Sequence, residues 1–536
     1  YGFGVHFGTG NDGIKYYFLH NATILPRPYA DLGPAGVVRE IACFAKASLQ
    51  LLCDLGIIPA MILTNDWFTG LVPAYAKNGS FGDTFRGTTF MHICHNLEPT
   101  YEGRLYPSPQ EGTLQGIYQF NPEWLIDFNW HQRVINPSRC AIMMTDKWAT
   151  VSNSYKNDLR CSSPLAHLLN SKPYPFSYPN GIFKARRLKI LNEKSGGDRN
   201  ACKKYIQQKY FGYGEADYSV PIFSFVGRIT QQKGVLMILD CVEEMIRRTG
   251  GKINILVGGM GDRRDPYVGA CCGKMWYLRG KYPYAFWADP NEFFTDGPKI
   301  NKGSDFGLMP SLFEPGGIVQ HEFFIAGTPV VAFRTGGLKD TVFEFRWDNN
   351  SGNGFTFDNY NCGDLINAMT RATDLFKNKE KLEICRKNAI NSAIDVADVS
   401  RAWCREFYLI KGKIFFNVKE VKDTPITLDD STMSQDTSSY ANPNLSKYNN
   451  YSSGGTSLVE PTNQFVPDIK PVDSSDPNAL KTQEPIDPNI VNATFSYKFN
   501  NRNPKKVILK GSFDNWKEDH PLAFDPLLGK WKVDMK

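Results

Sequence analysis

Two glycine-rich turns about twenty residues apart constrain the fold of this chain more than any other feature. They lie in the segment MPSLFEPGGIVQHEFFIAGTPVVAFRTGGLKDTV, which runs from Met309 to Val342. The pattern predicts a loop, a helix over about residues 317–325, a buried strand, TPVVAF, and a second turn at residues 335–337. Both turns would present the free N–H groups of a helix start to one cleft, which suits an anion such as a phosphate.

Two glutamates accompany the first of these turns. Glu314 lies in the loop and Glu322 lies eight residues later in the helix, so we expect both carboxylates to face the same cleft. Carboxylates in such a place can bind sugar or ribose hydroxyls, or offset positive charge on a sugar during its transfer. The structural alternative is that Glu314 caps the helix and Glu322 is solvated.

The composition is that of a globular protein with several domains. A length of 536 residues favours two or three domains. A net charge of +6 is too small to indicate a nucleic-acid partner, and we interpret the basic run KARRLK, residues 184–189, as a solvated helix face. Apolar runs stay short of the ~20 residues that a membrane span requires, so we expect no membrane partner.

The cysteines and the first residue bear on cellular location. The chain has 12 cysteines, which fall singly apart from the adjacent Cys271-Cys272. Their irregular spacing favours reduced thiols and therefore a cytoplasmic location. Because the chain starts with Tyr1 and not with methionine, we expect it to begin inside a longer chain that carries any targeting sequence.

The order of predicted elements divides the chain into four parts. Strand and helix patterns alternate over residues 1–215 and again over residues 216–417, which predicts two α/β domains with mostly parallel sheets. Residues 418–488 are rich in Ser, Thr, Asn, Asp and Pro, and we predict a disordered linker there. Residues 489–536 return to short alternating strands, such as ATFSYKF and GKWKVDMK, and predict a small all-β module.

Polar side chains follow several predicted strands, at the edge where α/β sheets bind ligands. In the first domain, Asp66 lies at the end of the predicted strand PAMILTND, and His95 lies near the end of TTFMHICHNL. In the second domain, Arg228 and Lys233 lie five residues apart in VGRITQQKG, directly after a buried strand. The planar guanidinium and the mobile ammonium would suit a diphosphate. The structural alternatives are that Arg228 and Lys233 are ordinary surface bases and that Asp66 caps the next helix. His95 could likewise be a core histidine with its hydrogen bonds made inside the protein.

The sequence gives no indication of a metal site. HExxH sequences, acidic DxD sequences and Cys/His clusters with metal-ligand spacing are absent from it. The glycines of KINILVGGMGD are a weak signal by themselves, and we interpret them as a turn. We therefore expect neither a metal nor another cofactor.

These segments carry a resemblance to a known family. FEPGGIVQHEFFIAGTPVVAFRTGGLKDTV is similar to the donor-site segment of the starch synthases and bacterial glycogen synthases, which are retaining glucosyltransferases of the GT-B fold. VGRITQQKG resembles their phosphate-binding motif, HICHNL their HN segment, and NDW their HDW segment, with Asn65 in place of the usual His. The resemblance covers about residues 1–415 and implies two Rossmann-like domains that face a cleft.

The resemblance also implies an activity, the transfer of glucose from a nucleoside diphosphate glucose to the non-reducing end of an α-1,4-glucan. ADP-glucose and UDP-glucose both stay open as donors, and glycogen and starch as products. Val319 replaces a position that is often polar in bacterial relatives, which bears on the nucleotide contacts. The implied catalytic residues are Glu314, His95, Asp66, Lys233 and Arg228, and the implied nucleotide-sugar contacts are Arg228, Lys233, Glu322, Gly316, Gly317, Thr335, Gly336, Gly337 and Trp287.

A second resemblance lies near the end of the chain. KVILKGSFDNWKED is similar to the glycogen- and starch-binding modules of glucan enzymes and of the regulatory subunits of the AMP-activated kinase. We expect Trp516 to be the sugar platform, because an aromatic face packs against the apolar face of glucose. The resemblance also implies that the module is cut short at Lys536.

Two other classes of protein stay open. The first is a non-catalytic glucan-binding scaffold that keeps the fold, since fold alone does not establish activity. The second is a GT-B enzyme with a small acceptor, of the sucrose- or trehalose-phosphate type. Glucose incorporation into a polymer, one unit at a time, would separate the glucan synthase from both.

Overall fold

The computed structural model describes residues 2–10, 13–26, 32–127, 133–291, 294–415, 507–509, 520–525 and 530–532. Contacts between residues divide the chain into a large unit, Tyr1–Gly454, and a small unit, Gly455–Lys536. The large unit contains both α/β domains that the sequence predicts.

A parallel sheet is the basis of the first domain. The strands of this domain are β1 (Gly4–Thr9), β2 (Lys15–His20), β3 (Met61–Asn65), β4 (Thr89–Cys94), β5 (Ile126–Asp127), β6 (Val134–Ile135), β7 (Lys147–Thr150) and β8 (Phe176–Ser177). The parallel sheet has the order β3-β4-β7-β8, while β1 with β2 and β5 with β6 form separate antiparallel pairs.

Helices pack against this sheet through apolar faces. They are α1 (Gly33–Asp54), α2 (Val72–Lys77), α3 (Gln115–Tyr118), α4 (Pro137–Met144), α5 (Asn153–Ser162) and α6 (Ala166–Asn170). In α1 the buried residues Val38, Ile41, Ala45 and Leu49 recur every three or four positions and join Phe90 of β4 in one core. This spacing puts them on one side of the helix, as the sequence pattern predicts.

The second domain has a parallel sheet with a reversal in its strand order. Its strands are β9 (Ile222–Val226), β10 (Asn254–Gly258), β11 (Phe286–Asp289), β12 (Phe306–Met309), β13 (Val330–Phe333) and β14 (Gly354–Phe357). They are arranged as β11-β10-β9-β12-β13-β14, and every pair is parallel. This is the strand order of the Rossmann fold, so the prediction of a Rossmann-like second domain is confirmed. The first domain has the parallel sheet that the sequence predicts, with four strands in sequential order.

The helices after the first domain complete the large unit. They are α7 (Lys184–Ser195), α8 (Arg199–Phe211), α9 (Val235–Arg248), α10 (Pro266–Lys281), α11 (Gly297–Gly303), α12 (Val319–Ile325), α13 (Gly336–Thr341), α14 (Cys362–Lys377), α15 (Lys379–Ser392) and α16 (Val396–Phe415). In α9, the apolar run of VLMILDCVEEMIRR buries Val235, Ile238, Val242 and Met245 in the same core as Phe223 of β9.

The boundary between the domains lies earlier than the sequence analysis placed it. Residues 184–211 were assigned to the first domain, which was expected to end at residue 215. Instead, Ile206 and Phe211 of α8 share a core with Ile222 and Leu256 of the second sheet. Leu191 of α7 likewise packs in a core built from α12 and β13. Both helices are therefore part of the second domain, because their apolar faces match its sheet.

The chain crosses between the domains at two adjacent places. The backbone oxygen of Ile182 accepts from the N–H of Val396 at 2.9 Å, and the N–H of Ile182 donates to the oxygen of Ile394 at 3.0 Å. Gly181 allows this approach, because a Cβ there would lie 2.6 Å from the backbone nitrogen of Val396. After the crossing, α16 packs Trp403 in the same cluster as Tyr178 of the first domain. The terminal helix thus returns to the first domain.

A fully buried histidine makes the second domain sensitive to acid. His321 on α12 is 0% exposed, and neither ring nitrogen has a hydrogen-bond partner among the described residues. Burial lowers the pKa of His321 from 6.5 to about 3, with a smaller contribution from the charge of Lys184. The imidazole therefore stays neutral in the folded protein at neutral and mildly acidic pH.

We expect the replacement His321→Leu to reduce the acid sensitivity of folding. The unfolded chain binds a proton below pH 6.5 that the folded protein excludes down to about pH 3, so this residue lowers stability as the pH falls through that window. At pH 5 the loss is about 2 kcal/mol. Denaturant unfolding at pH 7 and pH 5 measures it, with the exposed His167→Leu as the control. Equal acid sensitivity in the His321 variant and the unaltered protein would contradict this assignment.

The small unit contains short antiparallel strands. They are β15 (Val507–Leu509), β16 (His520–Asp525) and β17 (Lys530–Lys532), in the order β15-β16-β17. β15 and β17 fall within the predicted strands KKVILKGSFDNW and GKWKVDMK, whereas β16 was not predicted. Trp516 and the predicted linker at residues 418–488 lie outside the described residues, so both stay predictions.

Candidate active site

The candidate site lies where the strand order of the second sheet reverses. β9 and β12 are neighbours, but their following strands, β10 and β13, lie on opposite sides of them. Open α/β sheets bind ligands in the crevice beyond the carboxyl ends of the strands at this point. Arg228 follows β9, and the loop of residues 310–318 follows β12. The phosphate motif and the Glu314 loop of the sequence analysis therefore meet at one crevice.

The two glycine-rich turns are in direct contact. The N–H of Gly337 donates to the carbonyl oxygen of Glu314 at 2.8 Å. A Cβ on Gly337 would lie 2.2 Å from the oxygen of Gly316, and one on Gly336, whose φ is +41°, would lie 2.2 Å from the oxygen of Glu314. Only glycine permits such an approach of two backbones. The turns, predicted to face one cleft, hold the Glu314 loop against the start of α13, where Thr335 is the N-cap residue.

We expect Gly337→Ala to destabilise the second domain. The added methyl group meets backbone atoms of Gly316, which cannot move aside as a flexible side chain would. Overpacking of this kind costs about 1–3 kcal/mol. Gly280→Ala on α10 is the matched control, because a Cβ there meets nothing within 4 Å. That variant should gain about 0.5–1 kcal/mol from helix propensity. Thermal unfolding of both proteins tests the pair, and equal shifts would refute the contact.

Lys233 and Glu314 form an ion pair at the crevice. The lysine Nζ lies 2.5 Å from Oε2 of Glu314, which also accepts from the hydroxyl of Ser311 at 3.1 Å. The side chains are 19% and 8% exposed, respectively. Gly234, which follows Lys233 and has φ of +68°, lies close to the loop after β12. A Cβ on Gly234 would lie 2.1 Å from the carbonyl oxygen of Pro310. The carboxylate of Glu314 is thus held by side chains and is not the helix cap of the alternative interpretation.

Arg228 follows β9 and precedes Lys233 of this pair by five residues. Its side chain is exposed and makes no hydrogen bond or ion pair with any residue that the structure describes. The backbone before it is supported by the glycine turn after β10, since the N–H of Gly227 donates to the oxygen of Gly258 at 3.1 Å. A Cβ on Gly259 would lie 1.7 Å from the oxygen of Gly227. The glycines of KINILVGGMGD therefore form the predicted turn, and they position the loop of Arg228.

Asp66 and His95 come together at the edge of the first sheet. One oxygen of Asp66 accepts from the backbone N–H groups of His95 and Asn96 at 2.7 and 3.3 Å. Burial raises the pKa of Asp66, and the charge of His95 and these two N–H groups partly offset the effect. The Asp66 carboxylate therefore fixes the backbone of the His95 segment and does not cap the helix that follows it.

Asn65 contacts the ring of His95. The Nε2 atom of His95 lies 2.9 Å from Oδ1 of Asn65, at an exposed position. With an amide oxygen as its neighbour, Nε2 acts as the donor in this hydrogen bond. The asparagine that replaces the usual histidine of the family thus orients the candidate sugar-binding residue.

Glu322 lies on α12, apart from the Lys233–Glu314 pair. Its carboxylate forms an ion pair with Arg187 of α7 at 3.2 Å. Both residues line a cavity of about 140 Å³ that reaches Val226 at the end of β9 and Val319, with Asn301 as a further polar group. The run KARRLK was interpreted as a solvated face, but Arg187 within it contacts the candidate site. This pairing was not visible in the sequence, because α7 was assigned to the other domain.

Trp287 does not present a free face to the crevice. Its indole is 6% exposed and packs against Tyr210 and Phe294, with ring centroids 4.7 and 5.7 Å apart. The guanidinium of Arg279 lies 5.0 Å from its ring centroid. A ring packed in this way leaves no surface for a nucleobase in this conformation, so we assign Trp287 to the core.

The sequence analysis missed the contacts that join the domains at this site. The hydroxyl of Ser152 donates to the oxygen of Pro315 at 2.5 Å. The carboxylate of Asp340 accepts from the hydroxyl and the N–H of Ser154 at 2.5 and 2.9 Å. The polar run SNS at the start of α5 and the aspartate after the TGG turn were the available signals. They lie 186 residues apart, and only the fold brings them together.

The part of the chain that the structure describes holds neither a metal centre nor a membrane span. Among its residues, no group of three or more His, Cys, Asp or Glu side chains is placed to hold a metal ion. Nor does any described helix have the length and apolar character needed to cross a membrane.

Comparisons with known proteins agree with this geometry. Residues 3–171 match the model of the starch synthase catalytic domain, and residues 220–374 match that of the group 1 glycosyl transferases. A glycogen synthase of Finegoldia magna is 29% identical over 72% of this chain and 80% of its own length. A glycogen synthase of Desulfitobacterium hafniense is 28% identical over 71% of this chain and 78% of its own length.

A solved structure supports the fold. It is the catalytic domain of starch synthase IV from Arabidopsis thaliana bound to ADP and acarbose. The match has a TM-score of 0.61 and 23% identity, and it covers 77% of this chain and 84% of that one. The parallel sheets of both domains and this neighbour agree with the GT-B fold that the resemblance implies. The chain is similar to the starch synthase catalytic domain over residues 3–171 and to bacterial glycogen synthases over most of its length.

Proposed function

We propose that this protein transfers glucose from a nucleoside diphosphate glucose to the non-reducing end of an α-1,4-glucan, with retention of configuration. The observation that carries the proposal is the Lys233–Glu314 pair, 2.5 Å apart at the reversal point of the second sheet. An ammonium at a crevice that suits a diphosphate, beside a carboxylate that can accept sugar hydroxyls, fits the transfer of a sugar from a diphosphate.

Each side of the site has its own part in this reaction. Lys233 and the exposed Arg228 bind the diphosphate and neutralise the charge that accumulates on it as the glycosidic bond breaks. Glu314 and the ring of His95 bind hydroxyls of the donor glucose. Asp66 fixes the backbone of His95 through the two hydrogen bonds described above. The glycine turns hold the Glu314 loop against the start of α13 through the hydrogen bond from Gly337 to the Glu314 carbonyl oxygen.

The cavity beside Glu322 is our candidate for the nucleoside end of the donor. Its apolar lining suits a base, and the Glu322 carboxylate suits ribose hydroxyls. A donor would share or displace Arg187 at that carboxylate. The related plant structure is bound to ADP, which makes ADP-glucose the first donor to test and UDP-glucose the second. The ratio of kcat/KM for the two donors decides between them.

An incorporation assay tests the function and separates it from the open alternatives. The full-length protein is incubated with glycogen and labelled ADP-glucose or UDP-glucose, and label in the polymer is counted. We expect incorporation with at least one donor. Absence of transfer with both would favour a glucan-binding scaffold. Transfer to a small sugar phosphate but not to the polymer would favour the sucrose- or trehalose-phosphate type of enzyme.

For the small unit we propose glucan binding through Trp516. The basis is the resemblance of KVILKGSFDNWKED to glycogen-binding modules and the tendency of aromatic faces to pack on glucose. Trp516→Ala should weaken co-sedimentation with glycogen and leave turnover on short oligosaccharides unchanged. Equal binding of the variant and the unaltered protein would refute the role.

A further inference from the structure

A loop of the first domain reaches the donor side of the crevice. The loop after β4 carries Tyr101, whose hydroxyl lies 3.3 Å from Oε1 of Gln232. The ring of Tyr101 also makes an edge-to-face contact with Phe313, with centroids 6.2 Å apart. Gln232 directly precedes Lys233, and Phe313 directly precedes Glu314. Tyr101 therefore touches the neighbours of both members of the ion pair.

Gln232 joins the two segments that carry this ion pair. Its side-chain Nε2 donates to the oxygen of Phe313 at 3.2 Å. Its backbone oxygen accepts from the N–H of Leu312 at 2.8 Å. The residue is 8% exposed, so these bonds form in a largely dry environment. A group that fixes Gln232 thus fixes the distance between the Lys233 turn and the Glu314 loop.

The loop that carries Tyr101 has a rigid base. The Glu102 and Arg104 side chains form a buried ion pair, with 0% and 3% of their surfaces exposed. Ser138 donates its hydroxyl to the oxygen of Glu102 at 2.8 Å. Gly103, with φ of +77°, lies so close to Trp67 that a Cβ would be 2.5 Å from the indole. Such anchoring directly after the tyrosine limits the positions that its ring can take.

We propose that Tyr101 is a positioning residue for glucosyl transfer. Through Gln232 it sets the arrangement of Lys233 and Glu314 relative to the sugar-binding edge of the first domain. The inference rests on the proposed function, and it adds a residue that acts through another residue and does not touch the reacting atoms. The contact joins two domains, so any opening of the cleft breaks it. It therefore stabilises the closed arrangement, in which transfer occurs, more than an open one.

This placement predicts an effect on kcat more than on KM. Tyr101→Phe removes one neutral hydrogen bond and keeps the ring, so kcat should fall about fivefold. The KM for the donor should stay within about twofold, because the donor binds mainly to groups of the second domain. Tyr101→Ala also removes the contact with Phe313, and we expect kcat to fall about thirtyfold.

A double-variant comparison tests whether Tyr101 acts through Gln232. In a Gln232→Leu background, Tyr101→Phe should cause no further loss, because its partner is already absent. Tyr106→Phe is the matched control, since Tyr106 lies on the same loop and is 50% exposed. It should keep normal kinetics. An unchanged kcat in Tyr101→Phe, a change confined to KM, or a full additional loss in the double variant would overturn the proposal.

Amide hydrogen exchange tests the same contact without turnover. In the free full-length protein, Tyr101→Ala should speed exchange in peptides that contain Gln232 and Leu312, whereas Tyr106→Phe should not. If the unaltered protein transfers no glucose, the proposed function fails, and the exchange experiment still decides whether Tyr101 fixes this loop. Equal exchange in Tyr101→Ala and the unaltered protein would overturn the positioning role.

Discussion

Lys233→Ala should lower kcat/KM for the nucleotide-glucose donor by about a hundredfold. The attraction between its ammonium and the departing diphosphate grows as negative charge develops, so both donor binding and rate should suffer. A charge-assisted contact in a closed cleft is worth roughly 2–4 kcal/mol, which corresponds to this loss. Steady-state kinetics with donor and a short maltooligosaccharide measure the change.

Two comparisons separate this effect from a loss of structure. The exposed Lys252→Ala, in the same domain, should keep normal kcat/KM. Thermal unfolding of the Lys233 variant is needed because Glu314, with 8% of its side chain exposed, loses its cationic partner. Near-normal kinetics in a folded Lys233→Ala protein would mean that the phosphate assignment is wrong.

Glu314→Ala should lower kcat by about a hundredfold or more, with a smaller rise in KM. The carboxylate positions the sugar and offsets charge mainly at the transition state, so its removal affects the chemical step more than binding. It also holds Lys233 in place through the 2.5 Å contact. The two residues therefore act as a unit, and the double variant should lose less than the product of the two single losses.

Glu322→Gln is the informative comparison for this prediction. Its carboxylate is paired with Arg187 beside the proposed nucleoside cavity, away from the Lys233–Glu314 pair. That variant should raise KM for the donor and leave kcat nearly unchanged. If both variants altered kcat to the same extent, the separate roles of the two glutamates would be refuted.

The local sequence was sufficient to predict much of the fold. The run TPVVAF contains β13, and the apolar periodicity of VLMILDCVEEMIRR matches α9. Glycine pairs predicted the two turns because few other residues allow such backbones. The predicted domain boundary was wrong. The amphipathic patterns of α7 and α8 show that each helix has an apolar face, but they do not show which sheet that face covers. Only their partners, such as Ile222 and Leu256, show which sheet they cover.

The sequence predicted most residues of the candidate site, but it did not predict which of them contact one another. The strand ends predicted the places of Asp66, His95, Arg228 and Lys233. What the sequence did not indicate is that Asp66 binds the backbone of His95, 29 residues away. Trp287 was expected among the nucleotide-sugar contacts because of the resemblance, and its packing in the core depends on distant rings. Contacts between segments far apart in the sequence depend on the order in which strands and helices pack. The apolar periodicity of a segment does not indicate that order.

The most direct test of the account is analysis of the product formed from a short acceptor. Maltotriose and labelled ADP-glucose or UDP-glucose are incubated with the full-length protein, and the products are separated by size and examined by NMR. We expect maltotetraose with a new α-1,4 linkage and one nucleoside diphosphate released per glucose added. Release of free glucose without chain growth, a β linkage, or no new product with either donor would contradict it.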